Sequence, residues 1–115
     1  MNITDINSIE DAREAGREIW RHYGRDKQLT KLMEELAELI IEISRMINFD
    51  ERYSLENVIE EIADVEFMLM QVKERIKINQ NDIDAKIIYK ARRTINKINK
   101  EKDLIKAIKS EENKR

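Results

Sequence analysis

Residues 31–46 read KLMEELAELIIEISRM. With Leu29 before them, Leu32, Leu36, Leu39, Ile43 and Met46 recur at intervals of three and four, the a and d positions of a heptad. Met33, Ile40 and Ile47 widen the stripe at position e. That spacing predicts an amphipathic helix of several turns. Apolar residues alone would suffice for it, yet Glu34, Glu35 and Glu38 stand beside the stripe. About twenty residues later EEIADVEFML repeats the device with Glu60, Glu61 and Asp64.

Along the rest of the chain the same periodicity predicts four helices. The first runs from about Ser8 to His22, with Ser8 and Asp11 arranged like a capping box and Gly24 closing it. The second runs from Asp26, as N-cap, to about Asn48. The third, carrying Val58, Ile62, Val65, Leu69, Val72 and Ile76, runs from Ser54 to about Asn79. The fourth begins near Asp82 and carries Ile83, Ile87, Ala91, Ile95 and Ile98. Its stripe drifts near Lys102, where a bend or fraying is expected, and Leu104, Ile105 and Ile108 suit a last turn against a partner subunit. Residues 1–110 read as a single helical domain and 111–115 as a disordered tail. Short connections make neighbouring helices antiparallel, so the expected class is an all-α four-helix bundle.

Composition agrees. Of 115 residues 40% are charged and 41% hydrophobic, with no proline, two glycines and no cysteine. Nothing interrupts long helices. Disulfides, thiolate metal sites and cysteine nucleophiles are excluded. The start, MNITDINSIEDAR, has neither a basic head nor an apolar run, and no stretch reaches the roughly 20 apolar residues that span a bilayer. A cytoplasmic, non-membrane protein is expected. The formal charge of −2 conceals an asymmetry: residues 85–115 hold 11 Lys/Arg against 4 Asp/Glu, and the remainder is acidic. The basic segment suits either a polyanionic ligand or simple solvation. No recognition motif accompanies it, so nucleic acid is not the expected partner.

With Leu36 at a, Glu35 takes position g and Glu38 position c. With Ile62 at a, Glu61 and Asp64 take the same two positions. Each pair is spaced i, i+3 and points from one side of its helix. In an antiparallel hairpin the two pairs lie at similar heights, offset by roughly 3–6 Å at the helical rise. Four carboxylates should therefore converge at one edge of the core. Such a group either has raised pKa values or binds a cation. An all-oxygen set without His or Cys suits Mg²⁺, with Mn²⁺ the alternative. The competing reading is a solvated acidic face. Glu66, among apolar neighbours, reads as an inter-subunit ion pair.

Glu34-Glu35-x-x-Glu38, 22 intervening residues, then Glu61-x-x-Asp64 resembles the EExxE…ExxD signature of the MazG-like all-α nucleoside triphosphate pyrophosphohydrolases. QLTKLMEELAEL and EEIADVEFMLMQ look like that family's two motif helices, and the match covers about residues 28–72. The resemblance implies a four-helix bundle assembling as a homodimer or homotetramer. It implies Mg²⁺-dependent cleavage of a nucleoside triphosphate to monophosphate and pyrophosphate, in nucleotide pool control or sanitation. By position, Glu35, Glu38, Glu61 and Asp64 would hold metal, and Glu34, with Glu35 and Glu38, would serve catalysis. Gln28 and Lys31 would face the substrate. Lys86, Lys90 and Arg93, at i, i+4, i+7 of the fourth helix, suit a leaving pyrophosphate or form a solvated face. Trp20 either stacks on a base or belongs to the core or an interface. The alternative to the enzyme is a non-catalytic helical oligomerisation module.

Overall fold

The computed structural model describes residues 1–114. A 3₁₀ turn (Ile3–Asp5) precedes four α-helices: α1 (Ile9–Tyr23), α2 (Arg25–Ile47), α3 (Leu55–Arg75) and α4 (Gln80–Asn113). The described residues contain no strand, and none of their helices is long and apolar enough to cross a membrane. Two compact units divide the chain, Met1–Ile78 and the segment from Asn79 onward.

Helix starts follow polar caps. The Ser8 hydroxyl accepts a hydrogen bond from the Asp11 amide (3.0 Å). Asp11 returns its carboxylate to the amide of Asn7 (3.0 Å), one residue beyond the box the sequence suggested. Those donors, Asn7 first and then Ser8, hold the Asp11 carboxyl below its usual value. Ser54 accepts from the Asn57 amide, and Asn79 from the Asn81 amide, which starts α4 two residues before the expected Asp82.

Gly24 closes α1 and opens α2 at once. Its amide donates to the Trp20 carbonyl, and its own carbonyl accepts from Gln28. The backbone there has φ +90° and ψ 167°, a region open essentially only to glycine. Asp26 therefore lies inside the first turn of α2 rather than at its N-cap.

The ends of α2 and α3 lack glycine. At the end of α2 the Phe49 amide donates to the Met46 carbonyl and the Asp50 amide to that of Arg45. At the end of α3, Lys77 donates to Glu74 and Ile78 to Lys73. Both are Schellman closures, with Phe49 (φ 50°) and Lys77 (φ 60°) in the left-handed position. The second ends α3 four residues before the expected Asn79.

Within the first unit α2 and α3 form the main hairpin, and α1 packs against both. Their shared surface is rotated from the expected seam. The buried residues of α2 are Gln28, Glu35 and Glu42, all at heptad position g. Those of α3 are Val58, Val65, Met68, Gln71 and Val72, at positions c, d and g. Much of the apolar stripe is turned outward: Met33 is 70% exposed, Ile40 66% and Ile47 69%, with Leu36, Ile43, Leu55, Ile59 and Ile62 also exposed. Glu66 is exposed as well. α1 contributes Ala15, Gly16 and Trp20 to the core, and Arg17 pairs with Glu74 of α3.

In the second unit α4 is one continuous helix through Lys102 to Asn113, with no buried residue. The expected bend is not found; residues 111–113 belong to this helix, and Arg115, the last of the expected tail, lies outside the described residues.

Candidate metal centre and adjoining pocket

Rotation of the hairpin toward position g is what draws acids inward. Glu35 and Glu38 of α2 and Glu61 and Asp64 of α3 each place one carboxylate oxygen within 4.8 Å of all the others. Glu35 is buried, Glu61 half-buried, and Glu38 and Asp64 are exposed. The expected convergence of these four is therefore found.

The polar accounting at the cluster is incomplete. Glu35 is 6% exposed. Its Oε1 takes the Lys31 ammonium at 3.0 Å, while its buried Oε2 has no partner. The buried Oε2 of Glu61 also lacks one. Lys31 further reaches Glu34 at 3.7 Å, and Glu35 lifts its ammonium pKa above the ordinary value, chiefly through their hydrogen bond. A single ammonium beside four carboxylates leaves the centre anionic.

The two acids of α3 sit in this field. Burial, followed by the charge of Glu38, pushes the Glu61 carboxyl up. Burial, followed by the charge of Glu35, pushes Asp64 up. Unpartnered buried oxygens and acids held above their usual range are the two costs a bound divalent cation removes. Four carboxylates with no nitrogen or sulfur suit a hard ion. The donor set and its orphaned oxygens thus fit a metal.

A pocket of about 560 Å³ adjoins the cluster. Glu34, Glu35, Asp64, Lys31, Lys27 and Thr30 give it polar walls. Ile19, Tyr23, Phe67 and Met68 give it apolar ones, and Gln28 and Gln71 complete it. The Gln28 amide donates to the Gln71 carbonyl at 2.9 Å. Lys27 sits 4.8 Å from the centre of the Tyr23 ring, a cation–π distance.

Of the residues singled out in the sequence, Gln28, Lys31, Glu34, Glu35 and Asp64 line this pocket. Trp20 does not; it is 6% exposed and belongs to the core, while Tyr23 and Phe67 are the aromatic residues at the pocket. Lys86, Lys90 and Arg93 are exposed on α4.

Sequence reasoning passed over Gln71, Phe67, Tyr23 and Gly16. The available signal for Gln71 was its heptad position c, two turns beyond Asp64 on the same strip of α3. Glu42 was passed over too: it is buried at g, one heptad after Glu35, and paired with Arg45 at 2.6 Å.

Comparison of the chain with protein-family models, curated proteins and solved structures gives no match.

Proposed function

We propose that this protein is a Mg²⁺-dependent nucleoside triphosphate pyrophosphohydrolase that releases pyrophosphate and a nucleoside monophosphate. The observation that carries the reading is the four-carboxylate cluster, drawn from two helices to within 4.8 Å and holding orphaned oxygens on Glu35 and Glu61. The resemblance of Glu34, Glu35, Glu38, Glu61 and Asp64 to the MazG-like signature supports the choice of reaction.

Bare carboxylates repel a triphosphate. Glu35, Glu38, Glu61 and Asp64 would hold Mg²⁺, or Mn²⁺ in its place, which supplies positive charge at the α-phosphate and lowers the pKa of bound water. The chain's own groups then position. Lys31 neutralises Glu35 and adds a cation beside the pocket. Glu34, half-free of Lys31 at 3.7 Å, is the acid left to orient water and accept its proton. The apolar walls exclude solvent around the nucleoside. Hydrolysis of a phosphoanhydride needs mainly this alignment and charge neutralisation. Nucleotide pool control or sanitation is the fitting cellular role.

Assembly as a homodimer or homotetramer belongs to the same reading. Met33, Ile40 and Ile47 stand exposed in one row along α2, and a contiguous exposed apolar patch marks an interaction surface.

The test is pyrophosphate release from a panel of canonical and modified nucleoside triphosphates with MgCl₂. Glu38→Gln and Asp64→Asn should each abolish turnover while helix content by circular dichroism is kept. Unchanged release in both variants rules the assignment out.

The outward apolar stripe also favours a second reading, a non-catalytic oligomerisation module. That reading requires no joint thermal stabilisation by MgCl₂ and a non-hydrolysable deoxynucleoside triphosphate; the enzyme reading requires it.

A further inference from the structure

Two glutamines are buried side by side in the pocket, and the cation site does not use them. Gln28 and Gln71 are each 4% exposed. Burying an amide is costly unless its hydrogen bonds are made. A glutamine offers two donor hydrogens and a carbonyl. The single bond between them at 2.9 Å, with a weak contact from Gln71 to the Met68 sulfur at 3.8 Å, uses a minority of that capacity. A core position would be served better by leucine, so the pair has polar capacity to offer to something that enters the pocket.

Its placement fits a nucleotide. Gln28 lies two turns before Glu35 on α2, and Gln71 two turns after Asp64 on α3. Because the helices are antiparallel, both displacements run the same way, about 10 Å from the acids at 1.5 Å per residue. That leaves room for a pentose between a phosphate at the acids and a ring at the amides. Tyr23 and Phe67 line the same pocket, as a planar ring requires.

A third residue fixes the arrangement. A Cβ on Gly16 of α1 would stand 2.9 Å from Gln71 Cγ and 3.6 Å from Phe67 Cε1. Gly16 lets α1 close onto Gln71 and hold its side chain. Without that contact both amides could turn over together, keeping their bond while exchanging donor for acceptor. A held pair presents one fixed pattern.

We propose that the Gln28–Gln71 amide pair, seated against Gly16, reads the hydrogen-bonding edge of a nucleobase and sets base preference. This rests on the pocket taking a nucleotide, and it assigns the two glutamines to specificity and Gly16 to positioning.

Unphosphorylated deoxynucleosides test it without turnover or metal. Saturation-transfer NMR titrations of the full chain in EDTA should show one deoxynucleoside preferred. Gln71→Leu should weaken that ligand by roughly 10- to 100-fold, the range for an unpaired buried hydrogen-bonding group, and erase the preference. Gly16→Ala, with both glutamines present, should narrow the preference in the same direction. The double variant Gln28→Leu/Gln71→Leu leaves no amide orphaned, so it keeps the fold, checked by thermal melting, and also loses the preference. Equal binding of all four deoxynucleosides, no binding, or a preference that survives in the double variant overturns the assignment. Should the preference depend on Gln71 while no triphosphate is hydrolysed, base reading stands and the hydrolase reading falls.

Discussion

Glu35 of α2 and Asp64 of α3 bring carboxylate oxygens within 4.8 Å of each other, and burial together with the Glu35 charge raises the Asp64 pKa. The pair spans the hairpin, so its repulsion acts directly against the closure of α2 onto α3. A divalent cation between them converts repulsion into a cross-link. Magnesium should therefore raise the melting temperature of the full chain at neutral pH, with NaCl of matched ionic strength as the control. Asp64→Asn and Glu61→Gln should each reduce that shift by more than half while raising the melting temperature of the metal-free protein. A metal-free variant less stable than the native chain would mean the acids stabilise the hairpin by themselves.

The pH dependence has a definite sign. Glu61 and Asp64 have folded-state pKa values above their ordinary 4.5 and 3.8. The folded chain then binds more protons than the unfolded chain just above those values, and stability falls as pH rises through that window. Asp11 and Asp50 act oppositely. Asn7 and Ser8 donors on Asp11, and Arg52 on Asp50, depress their pKa values, so that stability is lost only as pH falls below about 3.8. Metal-free melts should show an optimum near the ordinary carboxylate range and a decline above it, and magnesium should remove the decline. Glu61→Gln should flatten the alkaline side of the metal-free curve.

Two backbone positions predict stability changes of opposite sign. Gly24 has open space where a Cβ would go, so any penalty at that site is conformational. Gly24→Ala should destabilise by about 1–3 kcal/mol. Phe49 is 94% exposed and held at φ 50°, where glycine is at ease and a side chain is not. Phe49→Gly should stabilise by roughly 0.5–1 kcal/mol. Urea denaturation read by far-UV circular dichroism measures both, and the same sign for the two substitutions would refute the backbone account.

These positions also show what a sequence discloses. The acid quartet was legible because its members are locally coded: an i, i+3 spacing and a heptad position suffice to put Glu35, Glu38, Glu61 and Asp64 on facing strips. Ser8 and Ser54 were legible as caps for the same local reason. The end of α3 was not, since Lys77 adopts a conformation that composition assigns to glycine. Gln71, Gly16 and Phe67 meet across α1 and α3, and no spacing within one helix encodes that. The hairpin's rotation was hidden more deeply. A stripe of a, d and e residues looks like one seam, yet Val65 and Val72 face inward while Ile40 and Ile62 face out.

The outward half of the stripe bears on assembly. Met33, Ile40 and Ile47 repeat every heptad on α2, and Leu55, Ile59 and Ile62 continue the apolar surface on α3. Covering a large aliphatic side chain is worth about 1.5–3 kcal/mol. A row of such residues covered on each copy works against the entropic cost of association, so self-association is the expected outcome. Sedimentation equilibrium should give a mass at least twice the 13.8 kDa of one chain. Ile40→Glu puts a charge at the middle of the face without disturbing the hairpin core, because Ile40 is 66% exposed. It should return the mass to that of one chain while the circular dichroism spectrum keeps its helical form. Magnesium should still raise the melting temperature of this variant, since the four carboxylates all come from a single hairpin. A native chain that sediments at 13.8 kDa would leave the outward stripe without a role in assembly.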